Sequence, residues 1–197
     1  MPDFKNKHYL IIICVIICFI PLFFGIYIKY LLVSQLNLLI LALIVSGILF
    51  LYLLGKIIGK YAYTTKRLKV MVQHDLISAL IHKNDNWVLF FFFPLTMVME
   101  EFIFRYYSIG IVRDIIHLGI LESILVSSLI FSLYHIHFWF KFKNISITII
   151  FISYSFFLGL INGFVLLTIG LPFCVLIHYL LAFMSYFNLS NKIKNLD

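Results

Sequence analysis

Polar surface is what this 197-residue sequence has least of. Charged residues make up 12% and acidic ones number only 8, against 63% hydrophobic residues and a mean hydropathy of +1.09. A soluble domain carries roughly 25% charged residues, so that class is excluded and the chain reads as an integral membrane protein. The strict apolar/polar alternation of a membrane β-barrel is also missing, which leaves helices. Cysteine is scarce: Cys14, Cys18 and Cys174 each lie inside an apolar run, where a small thiol is ordinary filler, and no disulfide framework is supported. No small-residue cleavage site follows the opening MPDFKNKHYLIIICVIICFI, so it reads as a retained signal anchor. No internal repeat is evident, which disfavours a proton-coupled transporter built from two related halves.

What is present is a series of apolar runs near the ~20 residues a helix needs to cross about 30 Å of hydrocarbon. They place spans at about 9–28, 36–55, 88–108, 119–140, 145–167 and 171–187. The predicted fold is all-α, a polytopic transmembrane bundle of about six spans forming one membrane domain over 1–197. An even count puts both termini on one side. Lys5, Lys7, Lys56, Lys60, Lys66, Arg67, Lys69, Lys83 and the later lysines from Lys141 onward then share a face, with Lys29 and Arg113 opposite. Positive-inside bias makes that face cytoplasmic, with both termini cytoplasmic, in a multi-pass protein of the cell membrane. The formal charge of +7 is thereby assigned to membrane lipids and not to nucleic acid. The one long polar stretch, 56–87, reads as a cytoplasmic basic connector, either a helix on the inner leaflet with Leu68, Met71, Val72, Leu76 and Leu80 on one side, or a solvated linker.

Inside the third run, MVMEEFIFRYY places Glu100, Glu101 and Arg105 where hydrocarbon is expected. Each charge costs ~2.5–3.5 kcal/mol at mid-membrane, so such groups face a protein interior and usually carry function. At 100° per residue Arg105 lies about 40° from Glu101 but about 140° from Glu100. Arg105 therefore pairs with Glu101, and Glu100 is left free for general acid/base work. On the fourth span Ser128, Ser132 and His135 form one polar stripe, which faces His135 inward and turns His137 toward the interface. On the sixth, Cys174, His178, Ala182 and Ser185 form another. Two imidazoles and a carboxylate from separate helices can hold a water either directly or through a bound zinc, with Glu100, His135 and His178 as the ligands in the second case. On the fifth span Gly159 and Gly163 allow close helix packing, and Asn162 is a candidate oxyanion donor or polar support, as is Ser185.

Three of these stretches resemble the signature of the CAAX-protease and bacteriocin-processing family of intramembrane endopeptidases: EEFIFR matches EExxxR, FSLYH matches FxxxH, and HYLLA matches the start of HxxxN. The resemblance covers roughly 88–187, the presumed catalytic helical core, and omits the first two spans and the connector. It implies that Glu100 activates water, Glu101 is its partner, Arg105 is structural, and His135 and His178 position water or stabilise the oxyanion, by a metal-dependent or a glutamate mechanism. The implied substrate is a membrane-presented peptide or protein tail: a prenylated C terminus, a signalling-peptide precursor or a bacteriocin precursor. The family's final Asn is replaced by Ala182, which removes one oxyanion donor and keeps open a second reading, a catalytically silent scaffold or bacteriocin self-immunity protein. Depth sets a further condition. Glu100 lies about 13 residues from the cytoplasmic start of its span and His135 about 6 from Lys141, a mismatch of roughly 10 Å, which shrinks if Pro94 starts the third helix late.

Overall fold

A few asparagines, glycines and prolines punctuate a chain whose composition alone would let helix run almost anywhere. The computed structural model describes residues 3–82 and 86–195; Lys83, counted above with the basic face, lies outside them. Helix α1 (Asp3–Phe23) ends where Gly25 takes φ +72°. There Gly25 N–H donates to the Leu22 carbonyl at 2.9 Å and Ile26 N–H to Pro21 at 3.1 Å, a glycine-closed Schellman pairing. Helix α2 (Leu38–Tyr61) starts at Asn37, whose side chain accepts from Ile40 N–H at 2.8 Å. Asn144 caps α9 (Ile145–Thr168) the same way, and α10 (Leu171–Lys194) carries Pro172 in its first turn.

Between α2 and α9 the chain forms α3 (Thr65–Met71), α4 (Asp75–His82), a continuous helical stretch over 88–114, then α7 (Ile120–Tyr134) and α8 (His137–Phe142). The 88–114 stretch is built from α5 (Phe93–Glu101) and α6 (Ser108–Asp114), each preceded by a widened π segment, Val88–Phe92 and Phe102–Tyr107. Pro94 does not start a late helix, because the first π segment leads directly into α5. π-Turns of this kind cluster at functional sites, and these two flank the glutamate pair.

Among the described residues six helical stretches run between two ends. At one, Gln35 N–H donates to Thr168 at 3.2 Å and Lys29 pairs with Asp114 at 2.8 Å. At the other, basic end, Asp75 takes Lys7 at 2.5 Å and Lys141 at 3.0 Å. Among the described residues four stretches, Leu38–Tyr61, Ile120–Phe142, Ile145–Thr168 and Leu171–Lys194, are long and apolar enough to cross a membrane, and Lys7–Phe23 is a shorter apolar helix. Several ends differ from the sequence expectation. α1 stops at Phe23 because of Gly25, whereas α2 and α10 run on to Tyr61 and Lys194. Lys60, Lys192 and Lys194 in those last turns complement the helix dipole.

The extra turns of α10 change the connector. Leu189 and Ile193 pack with Leu68, Met71 and Ile77, so α3 and α4 bury their apolar side against the bundle. The closest helix contact joins α7 to α9. A Cβ on Gly159 would lie 2.9 Å from Ser128 Cα, and one on Gly163 3.0 Å from Ile124 Cγ2, which is the small-residue packing the glycine spacing predicts.

Candidate active site

The two π segments and α5 aim neighbouring glutamates in different directions. Glu101 and Arg105 are 0% exposed, and Glu101 Oε2 lies 3.4 Å from Arg105 Nε. The other oxygen, Oε1, accepts Nδ1–H of His178 at 2.7 Å and the Asn162 amide at 3.0 Å. Glu101 thus joins α5, α9 and α10 through one carboxylate. Glu100 borders a cavity of about 360 Å³ and faces His178 Nε2 at 3.8 Å. His178 is therefore held by Glu101 on one ring nitrogen and presents the other to Glu100, a second-layer arrangement that fixes its tautomer.

Phe131 received no role from the sequence, yet it is the platform of the site. Its ring is fully buried, lies 3.8 Å from the Arg105 guanidinium and meets the rings of His135 and His178 edge-on at 4.8 and 5.6 Å. Its carbonyl accepts His135 Nδ1–H at 2.9 Å, so His135 also presents Nε2. The signal was in plain view: Phe131 is four residues before His135 in FSLYH, one helical turn back on the same face. A guanidinium over an aromatic ring explains how Arg105 is tolerated without a side-chain hydrogen bond.

Glu100, His135 and His178 all line the one cavity. The helix that carries His135 is broken where the sequence predicts one continuous span. α7 ends at Tyr134, His135 occupies its C-cap, and α8 restarts at His137. The same break places His137, expected at the interface, on the cavity wall as well, because the 100° rule does not carry across it. His135 makes no hydrogen bond to Glu100 or His178; its polar contact is Phe131.

Several candidates take other places. Both Asn162 amide hydrogens are occupied, by Glu101 Oε1 and by the Cys174 carbonyl at 3.1 Å, and the residue is 0% exposed. Of the two roles open to Asn162, oxyanion donor or polar support, its contacts are those of polar support for Glu101. Ser185 lines the cavity but donates to Leu181 at 2.9 Å, nearer the basic end. Ser128 and Ser132 bond carbonyls of their own helix. Ala182 lines the cavity one turn from His178. Tyr134, next to His135, lines it too, and among the described residues its hydroxyl has no protein partner.

Nε2 of His135, Nε2 of His178 and the Glu100 carboxylate are of suitable chemistry for a metal, but among the described residues no three His, Cys, Asp or Glu side chains converge closely enough to hold an ion. The residues as arranged do not fit a zinc centre.

At the basic end the cavity wall includes His74 and Asp75. Burial works against the Asp75 carboxylate, but Lys7 and Lys141 outweigh it and hold its pKa at about 2. Leu76 N–H donates to His74 Nδ1 at 3.3 Å, so Nε2–H donates to the Tyr186 hydroxyl at 3.1 Å. Burial pushes the His74 imidazole down to about 3.

A family model described as "Type II CAAX prenyl endopeptidase Rce1-like" matches residues 82–184. The match contains Glu100, Glu101, Arg105, Phe131, Tyr134, His135, Asn162, His178 and Ala182, whereas His74, Asp75 and Ser185 lie outside it. No curated protein matches the chain, and no solved structure does.

Proposed function

Because the chain belongs to the Rce1-like family of type II CAAX prenyl endopeptidases, a multi-pass family of intramembrane proteases, we propose that it hydrolyses a peptide bond in a membrane-presented tail with Glu100 as general base. The observation that carries this reading is the 3.8 Å gap between Glu100 Oε2 and His178 Nε2 inside the cavity. It exceeds a direct hydrogen bond and lets one water touch both groups.

In the proposed reaction Glu100 takes a proton from that water while its oxygen attacks the scissile carbonyl carbon. The proton then passes from Glu100 to the amide nitrogen as the C–N bond breaks, giving a carboxylic acid and an amine. Glu101 and Asn162 are positioning residues, since they act through His178. The Nδ1 hydrogens of His178 and His135 are spent on Glu101 and the Phe131 carbonyl, so those hydrogens do not reach a developing oxyanion. Ala182 has none and both of Asn162's are taken. The free hydroxyl of Tyr134 is the donor we assign to the oxyanion. His135 Nε2 accepts from a substrate backbone N–H. A prenylated CAAX tail is the substrate class favoured by the family description, and its lipid chain suits walls such as Phe93, Met97 and Phe138.

The test uses the full chain in lipid nanodiscs with an internally quenched, prenylated CAAX peptide. Hydrolysis by the wild type and its loss in Glu100→Gln at unchanged folding are expected. Cleavage that survives Glu100→Gln overturns the mechanism, and a folded wild type that cleaves no such peptide overturns the assignment.

A further inference from the structure

The cavity does not end at the glutamate. It continues to the basic end, where Lys7, Lys56, Lys141 and Lys192 line its wall. Two of these four are neutralised, because Asp75 gives one oxygen to Lys7 and the other to Lys141. Lys56 lies over the Tyr52 ring at 4.6 Å, and Lys192 donates to the Gly59 carbonyl. Among the described residues neither is ion-paired to a carboxylate. Among the described residues the α2–α10 wall of this partly apolar cavity thus carries two lysines with no carboxylate partner.

Their distance from the chemistry follows from helix geometry. A Cβ on Gly55 would lie 3.7 Å from Ser185 Oγ, so Lys56 is level with Ser185, about 10 Å up α10 from His178 at 1.5 Å per residue. Gly59, which receives Lys192, is one turn further, at about 16 Å. An extended peptide covers about 3.3–3.6 Å per residue, so both lysines stand roughly three to five residues from a bond held at Glu100.

We propose that Lys56 and Lys192 form a carboxylate subsite, which binds a negatively charged group of the substrate about three to five residues from the scissile bond. The inference rests on the proteolytic reading for the position of the scissile bond. The carboxylate is either an acidic side chain or the substrate's own C terminus. A peptide is favoured over a lipid headgroup because the two lysines share a continuous cavity with Glu100 and His178.

The experiment measures binding and turnover separately, in nanodiscs of neutral phosphatidylcholine. Three fluorescent prenylated CAAX peptides are compared: free acid, C-terminal amide, and an amide extended by two residues to end in Asp. Glu100→Gln protein, which does not turn them over, is expected to bind the free acid or the Asp peptide about tenfold tighter than the plain amide. The winning peptide identifies the source of the carboxylate. Lys56→Gln, alone or with Lys192→Gln, is expected to erase that preference, and Lys192→Arg to keep it. Equal weakening of all three peptides, or no change, overturns the subsite. So does an effect of the lysine substitutions that appears only when phosphatidylglycerol is added to the nanodiscs, which would make the lysines a lipid site. If charge preference is found but wild type hydrolyses nothing, the subsite stands and the protease reading falls. If wild type cleaves acid and both amides alike, the reverse holds.

Discussion

The floor of the cavity and its basic mouth both hold ionisable side chains, yet they obey different physics. At the floor, Glu101 and Arg105 are 0% exposed and each is fixed by neighbours from other helices. At the mouth, Lys7 is 54% exposed and its partner Asp75 23%, where water, salt and headgroups screen every interaction. The floor is where removing one group strands another in a dry interior. The mouth is where charge selects a ligand but holds little structure.

The contrast orders the expected effects. Glu100→Gln should lower kcat by about 10³-fold with little change in thermal midpoint, since general-base loss falls in the ~10²–10⁴ range; initial rates and melting curves on the same preparation check it. Arg105→Ala should destabilise the fold by about 3–5 kcal/mol, because it leaves Glu101 buried without its cation. Its melting midpoint should drop sharply, and a midpoint within a degree or two of wild type would show the floor to be less dry than described. Tyr134→Phe keeps the ring and removes the hydroxyl; kcat should fall about 10²-fold at unchanged KM, and adding Ala182→Asn should recover part of it. A drop in KM affinity instead would make Tyr134 a binding residue.

The smallest effect is expected at the mouth. His74 has a folded-state pKa of about 3 against an ordinary 6.5, and Asp75 about 2 against 3.8. Both are depressed, so the stability they give is complete above the ordinary values and is lost as pH falls toward the folded ones. Hydrogen exchange in 65–82, corrected for intrinsic rates, should therefore rise modestly between about pH 6.5 and 3. His74→Phe should remove most of the upper part of that dependence. A large change in the 88–114 stretch over the same range would erase the distinction between floor and mouth.

Much of the floor was legible beforehand because its logic is local. The Glu101–Arg105 pair is an i, i+4 relation, and Glu100's separate direction follows from the same 100° step. His178 was visible as the lone ionisable group of its span. Its bond to Glu101 was not, since 77 residues separate them and no periodicity spans that distance. Asn162 was noticed for its polarity but left between two roles, because only packed coordinates show which donors are already used. The depth expected for His135 assumed an unbroken helix, and the break after Tyr134 has no proline or glycine to announce it. Gly25 did carry a stop signal, missed because the surrounding run stays apolar.

The sequence by itself determined that this chain lives in a bilayer as a helical bundle, and which few side chains are too costly there to be incidental. Hydropathy and helical period are sums over neighbours in the chain, so a linear reading captures them. Only the tertiary structure decided that Glu101 serves His178 while Glu100 faces the cavity, that Phe131 seats Arg105 and both histidines, and that four lysines line the way in. Those facts depend on which atoms meet across helices at a few ångströms, and hydrogen bonds and dry ion pairs are decided at that range.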